Sequence, residues 1–378
     1  MTKLSRTHIE LSTCFHTSFK KLNDPRRTTK GNFTYPLDEI LFLVISAVIS
    51  GYDEWTSIVN FGNIKLEWLR RFLPYNNGIP SHDVLGKVFS RIAPKAFNEC
   101  FMDWVGTVSS LTKGEVIAFD GKTIRGSGNS NSSKSMFHIV SAFAVENNVC
   151  LAQTIVDKKH NEIIAIPKVL EMLSIKGCVV TIDAMGCQKN IAKKIIDKKA
   201  DYILMVKDNQ KGLKKQIEKI FDIQKECQTN ETTDIGHGRV ETRRCDVIDN
   251  LRFLDGKEEW RALTSVVKLT STRHIKKTGK ESKEIRYYIT SLPADAEKLN
   301  KDIRAHWRIE NNLHWSLDVQ FNEDKALKKK DYSAANFNII YKIAMTMITK
   351  EITVKGSKNI KRQKAALDDN YRELILKS

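Results

Sequence analysis

Apolar positions along this chain fall into two textures, and the change comes near residue 110. Before it, the apolar residues recur at helical spacing. PLDEILFLVISAVISG (36–51) opens on Pro36–Asp38, suited to a first helical turn, and closes at Gly51, suited to a left-handed stop. SIVNFGNIKLEWLRRFL follows and breaks at Pro74-Tyr-Asn-Asn-Gly78, and IPSHDVLGKVFSRI begins around Ser81 or His82 before PKAFNECFMDWVGTVSSL. Short helices joined by tight breaks fit both a helix-turn-helix and a plain bundle. Residues 1–110 are therefore expected to form a helical N-terminal domain. Its role is either to bind DNA specifically or to serve as a structural cap or dimer surface.

After residue 110 the pattern turns to strands. EVIAFD is a short buried strand, and SMFHIVSAFAVENNVCLAQTIVD is two strands around Glu146-Asn147-Asn148. NEIIAIPKVLEML is helical, CVVTID a strand, QKNIAKKIIDKK an amphipathic helix, DYILMV a strand and NQKGLKKQIEKIFDIQKE a helix. A hairpin-led sheet followed by alternating helices and strands is the ribonuclease-H-like order; a doubly wound fold would alternate from its start. Residues 111–227 thus predict the first part of an α/β, ribonuclease-H-like catalytic core. GRVETRRCDVI, WRALTSVVKLTSTRHI and EIRYYITSL then predict a β-rich insertion over 228–295. A helical part returns over 296–350, and residues 351–378 are expected to be a charged C-terminal tail with no clear core.

Composition narrows the partners. Lys and Arg outnumber Asp and Glu by 62 to 45, a formal charge of +17, which predicts attraction to a polyanion and hence to nucleic acid. The seven cysteines are scattered with no C-x-x-C pair, which fits reduced thiols in a cytoplasm rather than disulfides or a zinc ribbon. MTKLSRTHIELSTCF lacks the apolar core of a signal peptide, and Leu41–Ile49 is about half the length that spans a bilayer, so no membrane role is expected. There is no Walker A motif and no nucleophile elbow, and GSGNSNSS is a flexible loop without a phosphate-binding pattern.

The candidate chemistry lies in carboxylates at strand ends. Asp120 in VIAFDGKTIRGS and Asp183 in CVVTIDAMGCQ each follow an apolar strand run. In the sheet order above, the fourth strand lies beside the first, so both should emerge at the same side. Competing readings are an Asp-Gly hairpin turn for Asp120 and a helix N-cap for Asp183. A later acid would complete a set able to hold two Mg2+ ions, with Mn2+ as an alternative, for in-line attack on a phosphodiester. Glu310, Asp318, Glu323 and Asp324 all lie in HWRIENNLHWSLDVQFNED. Glu310 shares a helical face with His306, His314 and Leu317, and H-x3-E-x3-H also admits a mononuclear zinc site. Lys122 and Arg125 beside Asp120, Lys207, Asn209 and Gln210 after DYILMV, and Arg239 and Arg243 of HGRVETRR are candidates for contact with DNA.

Together AFDGKTIRGS, TIDAMGCQKNIAKKI, ADYILMVKDNQ, HGRVETRR and HWRIENNLHWSLDV resemble the DDE transposases of bacterial insertion sequences, in their H-repeat-associated branch. The resemblance spans nearly the whole chain. It implies that Asp120 and Asp183 correspond to the two aspartates and Glu310 to the glutamate of a catalytic, metal-binding triad. Many related transposases carry an arginine four residues before that glutamate and a lysine seven after it; here those positions are His306 and Leu317. His306 itself, with Arg304 or Arg308 substituting for the missing charge, is then a candidate for contact with DNA around the glutamate. The resemblance further implies cleavage at element ends, 3′-OH strand transfer into target DNA, and a homodimer on the DNA ends in a bacterial, nucleoid-associated setting. A ribonuclease-H-like nuclease without strand transfer and an inactive DNA-binding relic are the alternatives.

Overall fold

The computed structural model describes residues 17–26, 34–128, 136–156, 162–236 and 238–378. Its centre is one nine-stranded sheet in the order β3-β2-β1-β4-β5-β9-β8-β7-β6. β1 (Val116–Thr123), β2 (His138–Ala144) and β3 (Val149–Val156) form the antiparallel leading meander; β4 (Val179–Ile182) and β5 (Asp201–Val206) then add in parallel to β1. This is the ribonuclease-H-like arrangement that the order of apolar runs predicts. Val, Ile, Phe and Ala fill these strands, which are buried on both faces because helices cover them.

The β-rich segment joins this sheet rather than standing apart from it. β6 (Gln228–Gly236), β7 (Arg239–Ile248), β8 (Ser265–Ile275) and β9 (Glu281–Thr290) run antiparallel, and β9 pairs with β5 from Ile203↔Thr290 to Val206↔Tyr287. The ends of β7, β8 and β9 nearest the core are apolar and buried, whereas their far ends are polar and project into solvent. β6, QTNETTDIG, has no apolar alternation, so local sequence gave no strand signal; its hydrogen bonds to β7 alone define it.

The helices α1 (Leu37–Ile49), α2 (Trp55–Ile64), α3 (His82–Arg91) and α4 (Pro94–Val108) come first. α1 is apolar on nearly every side, as befits a fully enclosed helix, and Gly51 takes the left-handed conformation (φ 87°) just past its end. Ser81 caps α3 by accepting from the Val84 N–H, and Pro94 starts α4. After the sheet helices α5 (Glu162–Met172), α6 (Lys189–Asp197) and α7 (Lys211–Ile223) comes α8 (Ala296–His306), and later the long α9 (Ser333–Lys350). α9 welds the two ends of the chain together. Phe337 meets Trp55 edge-on at 5.1 Å between ring centres, and Asn336 donates to the Phe89 and Ile92 carbonyls at 2.8 and 2.9 Å. The N-terminal helices therefore share one apolar core with the sheet and its helices.

The expectation of a coreless C-terminal tail needs correcting. Residues 351–378 contain α10 (Lys358–Leu367) and α11 (Asp369–Lys377), and Arg372 of α11 is fully buried. Its guanidinium lies 4.0 Å from the Trp68 ring centre and donates to the Ala365 carbonyl at 2.8 Å and to Asp369. The segment is charged, but its charges are paired and stacked inward, which hydropathy alone does not reveal. Among the described residues no helix is long and apolar enough to cross a membrane.

Candidate active site

Three elements bring the site together. Asp120 lies inside β1, opposite Ser141 of β2, and not in a hairpin turn. The parallel pairing of β1 with β4 ends at Phe119↔Ile182, so Asp120 and Asp183 are the next residues of adjacent strands. Asp183 also caps the short turn Ala184–Gly186, its Oδ1 accepting from the Met185 N–H at 3.1 Å, so the capping reading and a place at the site coexist. Glu310 comes from a π-helical segment, Ile309–His314, which follows α8. The wider winding leaves both Glu310 and His314 turned toward β1: His314 Nδ1 lies 3.4 Å from Asp120 Oδ2 and 3.9 Å from Glu310 Oε2. The ligand atoms of Asp120, Glu310 and His314 all lie within 4.8 Å of one another. Asp183 stands outside that group.

The electrostatics suit a cation. Burial, then the charges of Glu310 and Asp183, push the Asp120 carboxyl up to about 8, against the pull of the Gly121 N–H that donates to Oδ1 at 2.9 Å. Burial and Glu162 also raise Asp183 above the ordinary carboxylate range, while backbone N–H groups of Gly186 and Met185 and the charge of Lys207 pull it back. Among the described residues no Lys or Arg pairs with Asp120, Asp183 or Glu310. Burial pushes His314 down to about 3, helped by the positive charge of the buried Lys342 on α9. The imidazole is thus neutral and leaves the carboxylate charge uncompensated. A divalent ion is what such a donor set fits.

The pH consequence has a definite sign. A carboxyl raised in the fold adds stability at low pH and loses it as pH climbs from the ordinary 3.8 toward about 8. Asp120→Asn is therefore expected to melt higher than wild type at pH 8 without metal, by about 1–2 °C per kcal/mol relieved. The gap should close near pH 4; scanning calorimetry in EDTA across this range measures it. Equal melting curves at pH 8 would mean that Asp120 carries no such strain.

A second acidic group, Asp318, Glu323 and Asp324, differs in being already neutralised. The Lys122 ammonium reaches Asp318 at 2.7 Å, Glu323 at 2.6 Å and Asp324 at 3.5 Å. Lys122, expected to face phosphate, is instead turned inward and 11% exposed. His306 is also corrected: it is buried, bonded through Nδ1 to Thr181 Oγ1 at 3.0 Å and pushed down to about 4 by burial, so it offers DNA no charge. It also lies outside the Asp120–Glu310–His314 group, so the H-x3-E-x3-H zinc triad does not assemble. Asn209 and Gln210 spend their side-chain amides on the Ala184 and Cys187 carbonyls, at 2.6 and 2.9 Å, and so brace the turn behind Asp183 rather than reaching outward. Lys207 and Arg125 are exposed.

Arg239, Arg243, Arg304 and Arg308 line one cleft of about 820 Å³ between the projecting strands and α8. Arg273, Arg286 and Lys301, which sequence reading missed, line it too, against the acids Glu146, Asp234 and Glu241. Asp234 pairs with both Arg243 and Arg304. The missed residues sit on β8, β9 and α8, and only the sheet pairing brings them to one wall.

Sequence reading also missed a buried pair beside Asp120. His138 Nε2 and Glu162 Oε1 are 2.5 Å apart, and Thr123 Oγ1 holds His138 Nδ1 at 2.9 Å. This pair explains the Asp-Gly dipeptide: a Cβ at Gly121 would lie 2.4 Å from Glu162 Oε1 and 2.5 Å from His138 Nε2. Gly121→Ala is expected to push the pair apart and destabilise the fold by about 1–3 kcal/mol, as overpacking does. Urea denaturation would measure it, and an unchanged midpoint would show that the pair is free to move.

Comparison with known proteins places these observations. The family model for a transposase DDE domain matches residues 111–347, and that for the region associated with it matches residues 16–105. "Putative transposase YncI" of Escherichia coli O157:H7 is 42% identical over 356 residues, covering 92% of this chain and 91% of its own. "H repeat-associated putative transposase YhhI" of Escherichia coli strain K12 is 40% identical over 362 residues, covering 93% and 95%. Among solved structures, a piggyBac transposase synaptic complex with hairpin DNA aligns at TM-score 0.47 and 10% identity, over 98% of this chain and 82% of that one.

Proposed function

The chain belongs to the transposase DDE domain family, and from that premise we propose that it cuts DNA at the ends of its own element and joins the freed 3′-OH to target DNA. The observation that carries this reading is the meeting of Asp120 with Glu310, distant in sequence, beside the strand end bearing Asp183 and, among the described residues, with no Lys or Arg ion-paired to them. Asp120 and Asp183 would hold one Mg2+ ion, and Asp120 and Glu310 a second, with Mn2+ able to replace either. When bound, the ions supply activation of the attacking hydroxyl and stabilisation of the leaving 3′ oxygen.

The protein's own share is positioning. Asp120 is held by a strand paired on both sides, with one carboxylate oxygen fixed by the Gly121 N–H. Asp183 is held by the Met185 N–H on a turn that Asn209 and Gln210 brace. The basic cleft would grip the phosphate backbone, with Arg125 and Lys207 contributing nearer the carboxylates. In this reading a homodimer brings two element ends together, and the protein acts on DNA in the bacterial cytoplasm, at the nucleoid.

The test uses purified protein and DNA from both flanks of its reading frame, with Mg2+, Mn2+ or EDTA. Joined products that need metal are expected. Cleavage without joining would favour a nuclease, and tight binding without chemistry an inactive relic. Arg308→Ala is expected to weaken binding equally for all sequences and to lower the salt slope by about one. Affinity measured across a salt series checks this; an unchanged slope would remove Arg308 from the phosphate contacts.

A further inference from the structure

The carboxylates of the site are joined by a nitrogen donor that the three-acid reading leaves unused. The His314 side chain is 8% exposed, and its Nδ1 is aimed between Asp120 Oδ2 and Glu310 Oε2, at 3.4 and 3.9 Å. Its other nitrogen, Nε2, is buried and has no hydrogen-bond partner among the described residues. A buried imidazole ordinarily has its tautomer fixed by a partner on one nitrogen. Here no partner on Nε2 among the described residues fixes it, so Nδ1 can turn its lone pair toward an ion between the two carboxylates.

Distances fit one ion. With bonds of about 2.1 Å, adjacent donors on an octahedral ion lie about 3.0 Å apart and opposite donors about 4.2 Å. The separations of 3.4 and 3.9 Å fall between these limits, so small side-chain adjustments would close the set. The neighbouring acidic group differs in this respect, because the Lys122 ammonium already occupies it. His306 and His138, the other buried imidazoles nearby, are committed to Thr181 and to Glu162.

We infer that His314 is a nitrogen ligand of the metal shared by Asp120 and Glu310, which makes this a mixed carboxylate–imidazole position that favours Mn2+ over Mg2+. The inference rests on the metal-dependent reading above and deepens it. Mg2+ prefers an all-oxygen shell, whereas an imidazole nitrogen suits a transition ion.

The experiment is pulsed electron paramagnetic resonance of Mn2+ bound to the full-length chain, alone and with a short duplex from the element end. Wild type is expected to show hyperfine coupling to a directly bound imidazole nitrogen. His314→Gln should lose that coupling and bind Mn2+ at least about tenfold more weakly, the cost of losing even an outer-shell partner. Should His314→Gln fail to fold by circular dichroism, His314→Asp keeps a donor at the position. It should retain bound Mn2+ without nitrogen coupling and shift selectivity toward Mg2+. Mn2+ that is bound in wild type and lost in Asp120→Asn, with no nitrogen coupling, would overturn the role of His314 while leaving the metal reading intact. Coupling that survives in His314→Gln would overturn it too. An absence of bound Mn2+ with and without DNA would remove the metal reading itself, and this inference with it.

Discussion

Asp183→Asn is expected to lower the joining of element ends to target DNA by at least about 10³-fold, a loss of about 4 kcal/mol in transition-state stabilisation. The substitution separates the two roles of this residue. Asparagine keeps the side-chain oxygen that accepts from the Met185 N–H at 3.1 Å, so the turn over Ala184–Gly186 should persist. It removes the negative charge, which a metal ligand needs and a cap does not. Burial and Glu162 already hold the Asp183 carboxyl above its ordinary range, so the variant should fold at least as stably as wild type. DNA affinity should change by less than about twofold, because phosphate contacts come from basic side chains rather than from this acid. A joining assay in Mg2+, run beside a binding assay, reads both. Activity within about tenfold of wild type would mean that Asp183 is a cap alone.

Lys122→Met should be strongly destabilising although Lys122 lies outside the apolar core. The lysine ammonium is the only cation within 4 Å of Glu323 among the described residues, and Glu323 is 3% exposed. Asn338 Nδ2 donates to the other oxygen of Glu323 at 2.5 Å, so the carboxylate is bound inside the fold and cannot turn to water. Removing one partner of a buried ion pair costs about 3–5 kcal/mol, because the charge left behind stays desolvated. Methionine retains most of the side-chain volume, so the loss reports charge rather than a cavity. The deficit should shrink as pH falls, since Asp318, which burial already raises, no longer needs a counter-ion once protonated. Urea denaturation at pH 7 and pH 5 measures both effects. A loss under about 1 kcal/mol would place the ammonium in solvent, free for phosphate as the sequence pattern suggests.

Local sequence was enough to find the strands β1 to β5. Apolar runs such as VIAF and VVTI locate β1 and β4 because a strand buried on both faces needs continuous apolar residues, and the aspartate after each run marks where the apolar core gives way to the site. The hairpin around Glu146-Asn147-Asn148 and the alternation of helices with strands after it were sufficient for the ribonuclease-H-like class. The excess of Lys and Arg was sufficient to expect a polyanion as partner.

What the sequence could not decide was where charged side chains point, because that depends on contacts between distant segments. Lys122 and Arg125 look equivalent beside Asp120, yet packing against the Asp318–Lys325 segment buries one and leaves the other 81% exposed. Arg372 and its neighbours look like a solvated tail until Trp68 and Asp369 supply a stacking face and a counter-charge. β6 has no apolar periodicity, and only the pairing of β9 with β5 carries its hairpins onto the core sheet. The spacing of Glu310 and His314 was visible in the chain. Their convergence on Asp120 was not, because it depends on α8 lying across β1 and β4 and carrying Ile309–His314 to β1. Sequence alone determined most of the elements and the acids they carry. The tertiary structure decided which acids share one volume and which are already neutralised, because Coulomb energies at a few ångströms depend on distance and burial rather than on order along the chain.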